Sequence, residues 1–266
     1  MTTPTLTTPA LDTTNTSASS VLAAPLTLVD QIRSHAREAR LTGAVLEAHL
    51  QQADEAGLQF LGAYLEAEVT SRRASARQRL IRAARLPSIK TLQDYDWSKV
   101  VLPPGLTKNS LTDLSFLATH EDLICYGNVG CGKTHLATAL TYQACQNNIR
   151  ARFTTAADLI MELRKAKNEG HLDKALNNYK KFQLLTIDEL GYLPIDPEGA
   201  RLLFQVIANT YEKSSLIITT NIPFSKWGTI FGDDNIAAAI IDRLIHHGRL
   251  LRHKGKSWRV THALMQ

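Results

Sequence analysis

The feature that most constrains this chain is the octapeptide GNVGCGKT at residues 127–134, which lies between two contrasting patterns. The run before it, LICY, is short and apolar, and the run after it, HLATAL, has helical spacing. The pattern predicts a strand, a glycine-rich loop and a helix, which is the arrangement of a phosphate-binding loop. Glycines let backbone N–H groups curl around phosphates at the amino end of such a helix.

The loop predicts a site for ATP and Mg2+. We expect Lys133 to reach the β and γ phosphates and the Thr134 hydroxyl to ligate Mg2+. The residues predicted to bind the nucleotide are Gly127, Asn128, Val129, Gly130, Cys131, Gly132, Lys133, Thr134 and His135.

Two adjacent acids, Asp188 and Glu189, directly follow another short apolar run in LLTIDEL. In one interpretation Asp188 holds the Mg2+ shell and Glu189 polarises the attacking water. In the other, both acids cap the next helix or face water. The phosphate-binding loop earlier in the chain favours the first interpretation, and with it ATP hydrolysis.

Two further residues are candidates for catalysis. Asn221 follows the apolar run SLIITT, where its amide can orient the water or contact the γ phosphate, although a lone Asn is often a turn residue. Arg243 lies on a predicted helix with Asp242 beside it. It either stabilises transition-state charge in a neighbouring subunit or pairs locally with Asp242.

In the 266-residue chain, three segments precede the domain that carries the phosphate-binding loop. Residues 1–25 are rich in Thr, Pro and Ser and carry no basic residue, which predicts a disordered tail rather than a secretory signal. Residues 26–87 show helical spacing up to Pro87 and predict a small all-α domain that binds DNA or a partner. Residues 88–120, which include Pro103 and Pro104, predict a connector.

Residues 121–266 predict the ATPase domain. The runs ARFTT, QLLTID and SLIITTN alternate with helical patterns, which indicates an α/β fold with a mostly parallel sheet flanked by helices. Near the end, RLLRHKGKSWRVT predicts a hairpin around Gly255.

Composition favours a cytoplasmic protein. Cys125, Cys131 and Cys145 lack Cys-x-x-Cys spacing, so we expect neither a disulfide framework nor a zinc site. No apolar run has the length that a membrane span requires, so we expect no membrane partner. The histidines at 246, 247 and 253 lack an acidic or cysteine partner at ligand spacing, which favours an interface or surface role over a metal site.

Several longer segments together resemble the IstB family, ATP-binding helpers of insertion-sequence transposition that are related to DnaC-type helicase loaders. The segments are GNVGCGKTHLA, FTTAADLIMELRKAK, LLTIDELGYLPIDPEGARLLFQVIA, IITTNIPFSKWGTIFGD and AAAIIDRLIHHGRLLRHKGKSWRV. The resemblance implies an AAA+ ATPase core that assembles on duplex DNA as a homo-oligomer, with ATP at subunit interfaces, and stimulates a partner transposase. It also implies a sensor role for Asn221 and a trans-acting finger role for Arg243. The family often has Arg where this chain has Thr210, so any contact made by that Arg is in doubt here.

Two basic regions are candidates for DNA contact. The first lies between Glu68 and Asp94, a window without acidic residues, and contains Arg72, Arg73, Arg77, Arg79, Arg82, Arg85 and Lys90. The second comprises Arg164, Lys165 and Lys167, with Glu162 and Glu169 close by. Either region can instead be a solvated helix face. Neither has a helix-turn-helix signature, so we expect phosphate contacts without base readout.

Two other functions stay open at this point. A helicase loader of the same fold would prefer single-stranded DNA and bind a helicase. A nucleotide-locked DNA scaffold would use ATP structurally, with incidental hydrolysis.

Overall fold

The computed structural model of the chain describes residues 26–255, 257 and 258. The described residues divide into two compact units between Ser71 and Arg72, and the longest helix belongs to both. The predicted tail at residues 1–25 lies outside the described residues. No helix among the described residues is both long enough and apolar enough to cross a bilayer.

The first unit is helical, as the spacing of its apolar residues predicts. A capping box starts its first helix, since Thr27 Oγ1 accepts from the Asp30 amide and the Asp30 carboxylate accepts from the Thr27 amide. Ile32, Ala36 and Leu65 form the buried centre of this unit. Its helices are α1 (Leu28–Glu38), α2 (Gly43–Leu50) and the first part of α3 (Glu55–Ala84).

The second part of α3 packs on the second unit. Leu80, Ile81 and Ala84 contact a core cluster of that unit, and the Arg152 guanidinium donates to the Ala83 carbonyl at 3.2 Å. The helix ends at Ala84, and Arg85 follows with a φ of +55°. The basic end of α3 is therefore attached to the same unit that carries the phosphate-binding loop.

Among the described residues, the second unit is a six-stranded sheet covered by helices. Part of the predicted connector forms its edge strand, β1 (Val100–Val101), and the short helix α4 (Lys108–Thr112). The other strands and α-helices of this unit are β2 (Asp122–Gly127), α5 (Lys133–Gln146), β3 (Ala151–Thr155), α6 (Ala156–Asn168), α7 (Leu172–Tyr179), β4 (Leu184–Leu190), α8 (Pro197–Thr210), β5 (Ser215–Thr220), α9 (Trp227–Phe231), α10 (Asp234–His246) and β6 (Gly248–His253).

The strand order is β1-β6-β2-β5-β4-β3, and every neighbouring pair is parallel except β1 with β6. This confirms the predicted mostly parallel sheet. The first arm of the predicted hairpin is β6, which pairs with β1 and β2. Most of the second arm, from residue 259 onwards, lies outside the described residues.

Two apolar layers enclose the sheet, because alternate strand residues point to opposite faces. Leu184 and Ile217 face α5 and the segment before β2. Leu185 and Ile218 face the other layer, which includes residues of α6, α8 and α10. Parallel strands place all their carboxyl ends at one edge of the sheet, where ligands bind in folds of this kind.

Candidate nucleotide site

The phosphate-binding loop joins β2 to α5 and depends on glycine backbone geometry. Gly132 adopts a φ of +93° at the residue before α5, in the left-handed region that glycine favours. A Cβ on Gly127 would lie 2.4 Å from the His253 carbonyl oxygen, so the loop also needs glycine for close packing. The loop therefore presents backbone N–H groups at the start of α5, as the motif predicts.

Lys133 is buried and folded into the loop. Its Nζ donates to the carbonyl oxygens of Gly127 at 2.8 Å and Asn128 at 2.7 Å. These contacts hold the ammonium group inside the curve of the loop, where a positive charge can neutralise phosphate.

Three side chains meet at the carboxyl ends of β4 and β5. Alternation along β4 puts Asp188 on the face that α5 covers, and alternation along β5 puts Thr219 on the same face. The Thr134 hydroxyl donates to the Asp188 carboxylate, with 3.0 Å to Oδ1 and 3.2 Å to Oδ2. The Thr219 hydroxyl donates to Asp188 Oδ1. Thr134 and Asp188, far apart in sequence, are thus in direct contact.

A bulge in β4 contains both acids and gives their side chains different surroundings. Ile187 pairs with Ile218 and Leu190 with Thr220, so Asp188 and Glu189 lie opposite the single residue between those partners on β5. Glu189 adopts a φ of +60°, uncommon for a residue other than glycine, and its amide donates to Thr219 Oγ1 at 3.0 Å. Asp188 is therefore buried, whereas Glu189 is exposed.

The exposed Glu189 lines a cavity of about 320 Å³. The first turns of α6 and the segment 191–196 form the rest of its wall, including Thr155 and Tyr192. The carboxylate is therefore open to water at the edge of the sheet that carries the phosphate-binding loop.

The residues present fit a nucleotide with Mg2+. The Gly127 and Gly132 backbone forms a cradle that a side chain would fill or strain, and Lys133 lies inside it. The Thr134 hydroxyl and Asp188 carboxylate supply hard oxygen atoms, which Mg2+ prefers.

An aromatic segment before β1 packs against the loop, and sequence reasoning missed it. The Tyr95 ring would lie 3.4 Å from a Cβ on Gly132, and its centroid is 5.4 Å from that of His135. His135 Nε2 lies 3.2 Å from the Thr91 carbonyl oxygen. The only local signal was the pair of aromatic residues in DYDW, which does not reveal a contact with a distant loop.

The end of β6 covers the other side of the loop. His253 Nδ1 lies 3.2 Å from the Tyr95 hydroxyl, and burial lowers the pKa of His253 to about 4, with the nearby Lys133 charge acting in the same direction. The Trp258 amide donates to the Gly130 carbonyl oxygen at 3.0 Å. Both sides of the phosphate-binding loop are therefore packed against segments distant in sequence.

Asn221 directly follows β5, the strand between β2 and β4. Its Oδ1 atom is buried without a hydrogen-bond partner among the described residues.

Arg243 is half-buried on α10, where it donates to the Ala239 carbonyl at 2.8 Å and lies 4.9 Å from the centre of the Phe204 ring. Thr210, at the position where the family often has Arg, is buried and donates to carbonyls of its own helix.

The first basic region lies on and just after the second part of α3. Most of its side chains are exposed, and Arg85 forms an ion pair with Glu162 at 3.6 Å. The exposed members are Arg72, Arg73, Arg79, Arg82, Arg85 and Lys90, and Arg77 is half-buried.

The second basic region lies on α6 and is paired with acids. Arg164 contacts Asp196 and Glu198 at the start of α8, and Lys167 also contacts Glu198. Lys165 lies 3.9 Å from Glu169 on its own helix. DNA contact by either region stays a prediction. In the second region, acids from the start of α8 neutralise Arg164 and Lys167, which the local sequence did not indicate.

The parallel sheet, the loop before α5 and the acids near the carboxyl end of β4 define a P-loop protein with an AAA+ core. The sequence profile of the IstB-like ATP binding proteins matches residues 34–265, and the chain belongs to that family.

Two relatives belong to insertion sequences, and both are named for ATP binding. One, from insertion sequence IS5376 of Geobacillus stearothermophilus, is 39% identical over 78% of this chain and 83% of its own length. The other, from insertion sequence IS21 of Pseudomonas aeruginosa, is 38% identical over 81% of this chain and 82% of its own length.

Solved structures share the fold. AMPPCP-bound DnaA from Aquifex aeolicus superposes with a TM-score of 0.51 at 19% identity, covering 64% of this chain and 51% of that one. DnaI superposes with a TM-score of 0.50 at 19% identity, covering 63% and 89%. At this identity the likeness concerns the fold alone.

Proposed function

We propose that this protein is an ATPase that binds duplex DNA with little sequence preference, assembles on it with ATP, and stimulates a partner transposase. The observation that carries the proposal is the contact of Thr134 with Asp188 beside the phosphate-binding loop, at the edge where Glu189 is exposed. Family membership and the insertion-sequence relatives support the transposition context.

In the proposed reaction each group has a separate task. The loop backbone and Lys133 would bind the phosphates, and Thr134 with Asp188 would hold Mg2+, which would supply positive charge to the phosphate oxygens. Glu189 accepts a proton from, or orients, the attacking water. Asn221 Oδ1, buried and without a hydrogen-bond partner among the described residues, is available to accept from water, and the Nδ2 group of the same amide can donate to the γ phosphate.

Duplex binding is proposed for the basic end of α3. Arg79 and Arg82 are exposed on a helix whose apolar side packs on the ATPase unit. Guanidinium groups bind phosphate oxygens in a bidentate fashion, which supports affinity without base readout. Nucleotide and DNA sites would then lie on one compact unit.

Assembly is proposed to place ATP at subunit interfaces, with Arg243 acting on the nucleotide of a neighbouring copy. Such an arginine stabilises transition-state charge in trans. Its contact with the Phe204 ring and the Ala239 carbonyl gives it a defined position on α10 before assembly.

The test is the size of the assembly by light scattering, with duplex or single-stranded DNA, each with and without ATP and Mg2+. We expect large particles only with duplex and ATP together. Lys133→Ala should abolish them, whereas Lys174→Ala, on the exposed surface of α7, should leave them intact. Adding the transposase of the same element should then raise its strand-transfer activity only where the particles form.

The other possible results of this experiment favour the alternative functions or contradict the proposed assembly. A preference for single strands would favour the helicase loader. Equal retention of DNA with ATP and a non-hydrolysable analogue, and equal stimulation of the transposase, would favour a nucleotide-locked scaffold. Small particles under all conditions would overturn the proposed assembly.

A further inference from the structure

The turn after α8 and the end of α10 bring three possible metal ligands together. They are Glu212, His246 and His247, and one ligand atom from each lies within 4.8 Å of the others. We propose that this group, here named the His–Glu cluster, binds a divalent transition-metal ion, and that Zn2+ fits its donor set best. This site is separate in the fold from the nucleotide site.

The donor set has the chemistry of a zinc site. Two imidazole nitrogens and one carboxylate oxygen occupy three positions of a tetrahedral ion and leave the fourth open to water. Imidazole ligands also favour Zn2+, Cu2+ or Ni2+ over Mg2+, which prefers oxygen ligands. The cluster therefore selects a different ion from the nucleotide site.

The spacing of two ligands already suits the ion. His247 Nε2 lies 3.2 Å from Glu212 Oε1. Two ligands that each bind tetrahedral zinc at about 2.0–2.1 Å lie roughly 3.3 Å apart, so this pair needs almost no movement. The His246 ring centre is 4.4 Å from that of His247, and His246 is exposed, so its side chain has room to approach.

A fourth residue holds one ligand ring in place. The Tyr211 hydroxyl lies 2.8 Å from His246 Nδ1, and its ring centre is 5.5 Å from that of His247. Metal-binding histidines commonly have such an outer hydrogen-bond partner, which fixes the ring orientation. The cluster is thus partly organised before any ion arrives.

The cluster lies at the opposite edge of the sheet from the nucleotide site. Glu212 comes just before β5 and His247 just before β6, whereas Asp188 is near the carboxyl end of β4. A bound ion would tie the turn after α8 to the end of α10. Because Arg243 of α10 lies over Phe204 of α8, the ion would brace the helix pair that positions Arg243.

Sequence spacing hid this arrangement. The sequence around the adjacent histidines favoured a surface role, but the fold brings Glu212 to them from 35 residues away. The acid required for a metal site is therefore present in space, although the local sequence does not reveal it.

The test is calorimetric titration of Zn2+ into the full chain without nucleotide, since ATP itself binds zinc. We expect one Zn2+ per chain, with affinity roughly 100-fold weaker in Glu212→Gln and His247→Gln and about tenfold weaker in Tyr211→Phe. His171→Gln, a surface histidine at the start of α7, is the matched control and should bind as the wild type does. Co2+ should give the visible spectrum of a tetrahedral site.

Two results would overturn the inference. One is the absence of stoichiometric Zn2+ binding by the wild-type chain. The other is binding of unchanged affinity and stoichiometry in both ligand variants, which would place the ion elsewhere. Far-ultraviolet circular dichroism of the metal-free variants confirms that weaker binding does not come from unfolding.

Discussion

Thr219 donates its hydroxyl to the Asp188 carboxylate on the neighbouring strand and accepts the amide of Glu189 at 3.0 Å. One buried hydroxyl thus fixes both acids of the site, the first through its side chain and the second through its backbone. The bulge in β4 requires this contact, because the Glu189 amide has no ladder partner at that point.

Replacing Thr219 should therefore affect turnover as well as stability. Thr219→Val leaves the Glu189 amide without its acceptor, which costs about 1–3 kcal/mol of unfolding free energy. It also frees Asp188 and Glu189 to move, so we expect kcat for ATP hydrolysis to fall at least tenfold. Urea unfolding and steady-state ATPase assays measure the two effects.

The control for this prediction is Thr186→Val. Thr186 is also a buried strand threonine, and its hydroxyl lies 2.7 Å from that of Thr141 on α5. This variant should lose comparable stability but retain kcat. Equal loss of kcat in the two variants would show that general destabilisation, and not the position of the acids, lowers turnover.

Glu189→Gln should separate binding from hydrolysis. The side chain is exposed and lies outside the phosphate-binding loop, and Gln has nearly the same shape. ATP affinity should stay within about twofold, while turnover falls at least 100-fold because the amide cannot accept a proton. Equilibrium binding of a fluorescent ATP analogue and phosphate release measure each quantity, and normal phosphate release would remove Glu189 from the mechanism.

Local sequence patterns predicted the parts of the site that depend on neighbouring residues. The glycine-rich loop follows β2 directly, and Asp188 and Glu189 come at the end of an apolar run that is strand β4. These signals lie within a few residues of each group, and the alternation of strands and helices also predicted the parallel sheet.

The contacts missed by sequence reasoning all depend on pairing between distant segments. Thr219 reaches Asp188 only because β4 and β5 are neighbours in a register interrupted by the bulge. Tyr95 reaches the loop through packing of the connector, and Glu212 reaches His247 through the ends of different helices. No local periodicity encodes a register or a packing partner.

Gly132→Ala should impair nucleotide binding through the backbone. At a φ of +93° an alanine is strained by about 1–2 kcal/mol, and its Cβ would lie 3.4 Å from the Tyr95 ring. We expect the loop to relax away from its phosphate-binding shape and ATP affinity to fall at least tenfold. Gly170→Ala is the matched control, since its φ is +72° but its Cβ would meet nothing within 4 Å.

If both glycine variants bind ATP equally well, loop strain is not important for the site. Similar losses of thermal stability in the two variants would confirm that both backbones are strained. The difference in ATP affinity then reports the role of Gly132 alone.

The free energy of unfolding should decrease as the pH decreases, because His253 is buried as the neutral imidazole. Burial lowers its pKa to about 4, below its ordinary value of 6.5, so the unfolded chain binds this proton more readily. The stabilising contribution is fully present above pH 6.5 and is lost as the pH falls towards 4, with an upper limit of about 3 kcal/mol. Urea unfolding at several pH values across this range measures the change.

The comparison for this prediction is His253→Asn, which cannot titrate in that range. Its stability should change less than that of the wild type between pH 7 and pH 5, although it is less stable at pH 7 after losing the contact with Tyr95. His171→Asn, on the surface, should keep the wild-type pH dependence. Equal slopes in wild type and His253→Asn would assign the dependence to other groups.

The basic end of α3 should determine how DNA binding responds to salt. Arg79 and Arg82 are exposed, and each phosphate contact contributes about 0.9 to the slope of log K against log salt concentration for duplex DNA. The double variant Arg79→Gln/Arg82→Gln should therefore lower the slope by roughly 2 and weaken binding to unrelated duplexes equally. Arg201→Gln, on the exposed side of α8, removes one positive charge from another helix and should change neither quantity. Fluorescence anisotropy with two unrelated duplexes at four salt concentrations gives the slopes, and an unchanged slope in the double variant would place the DNA contacts on another surface.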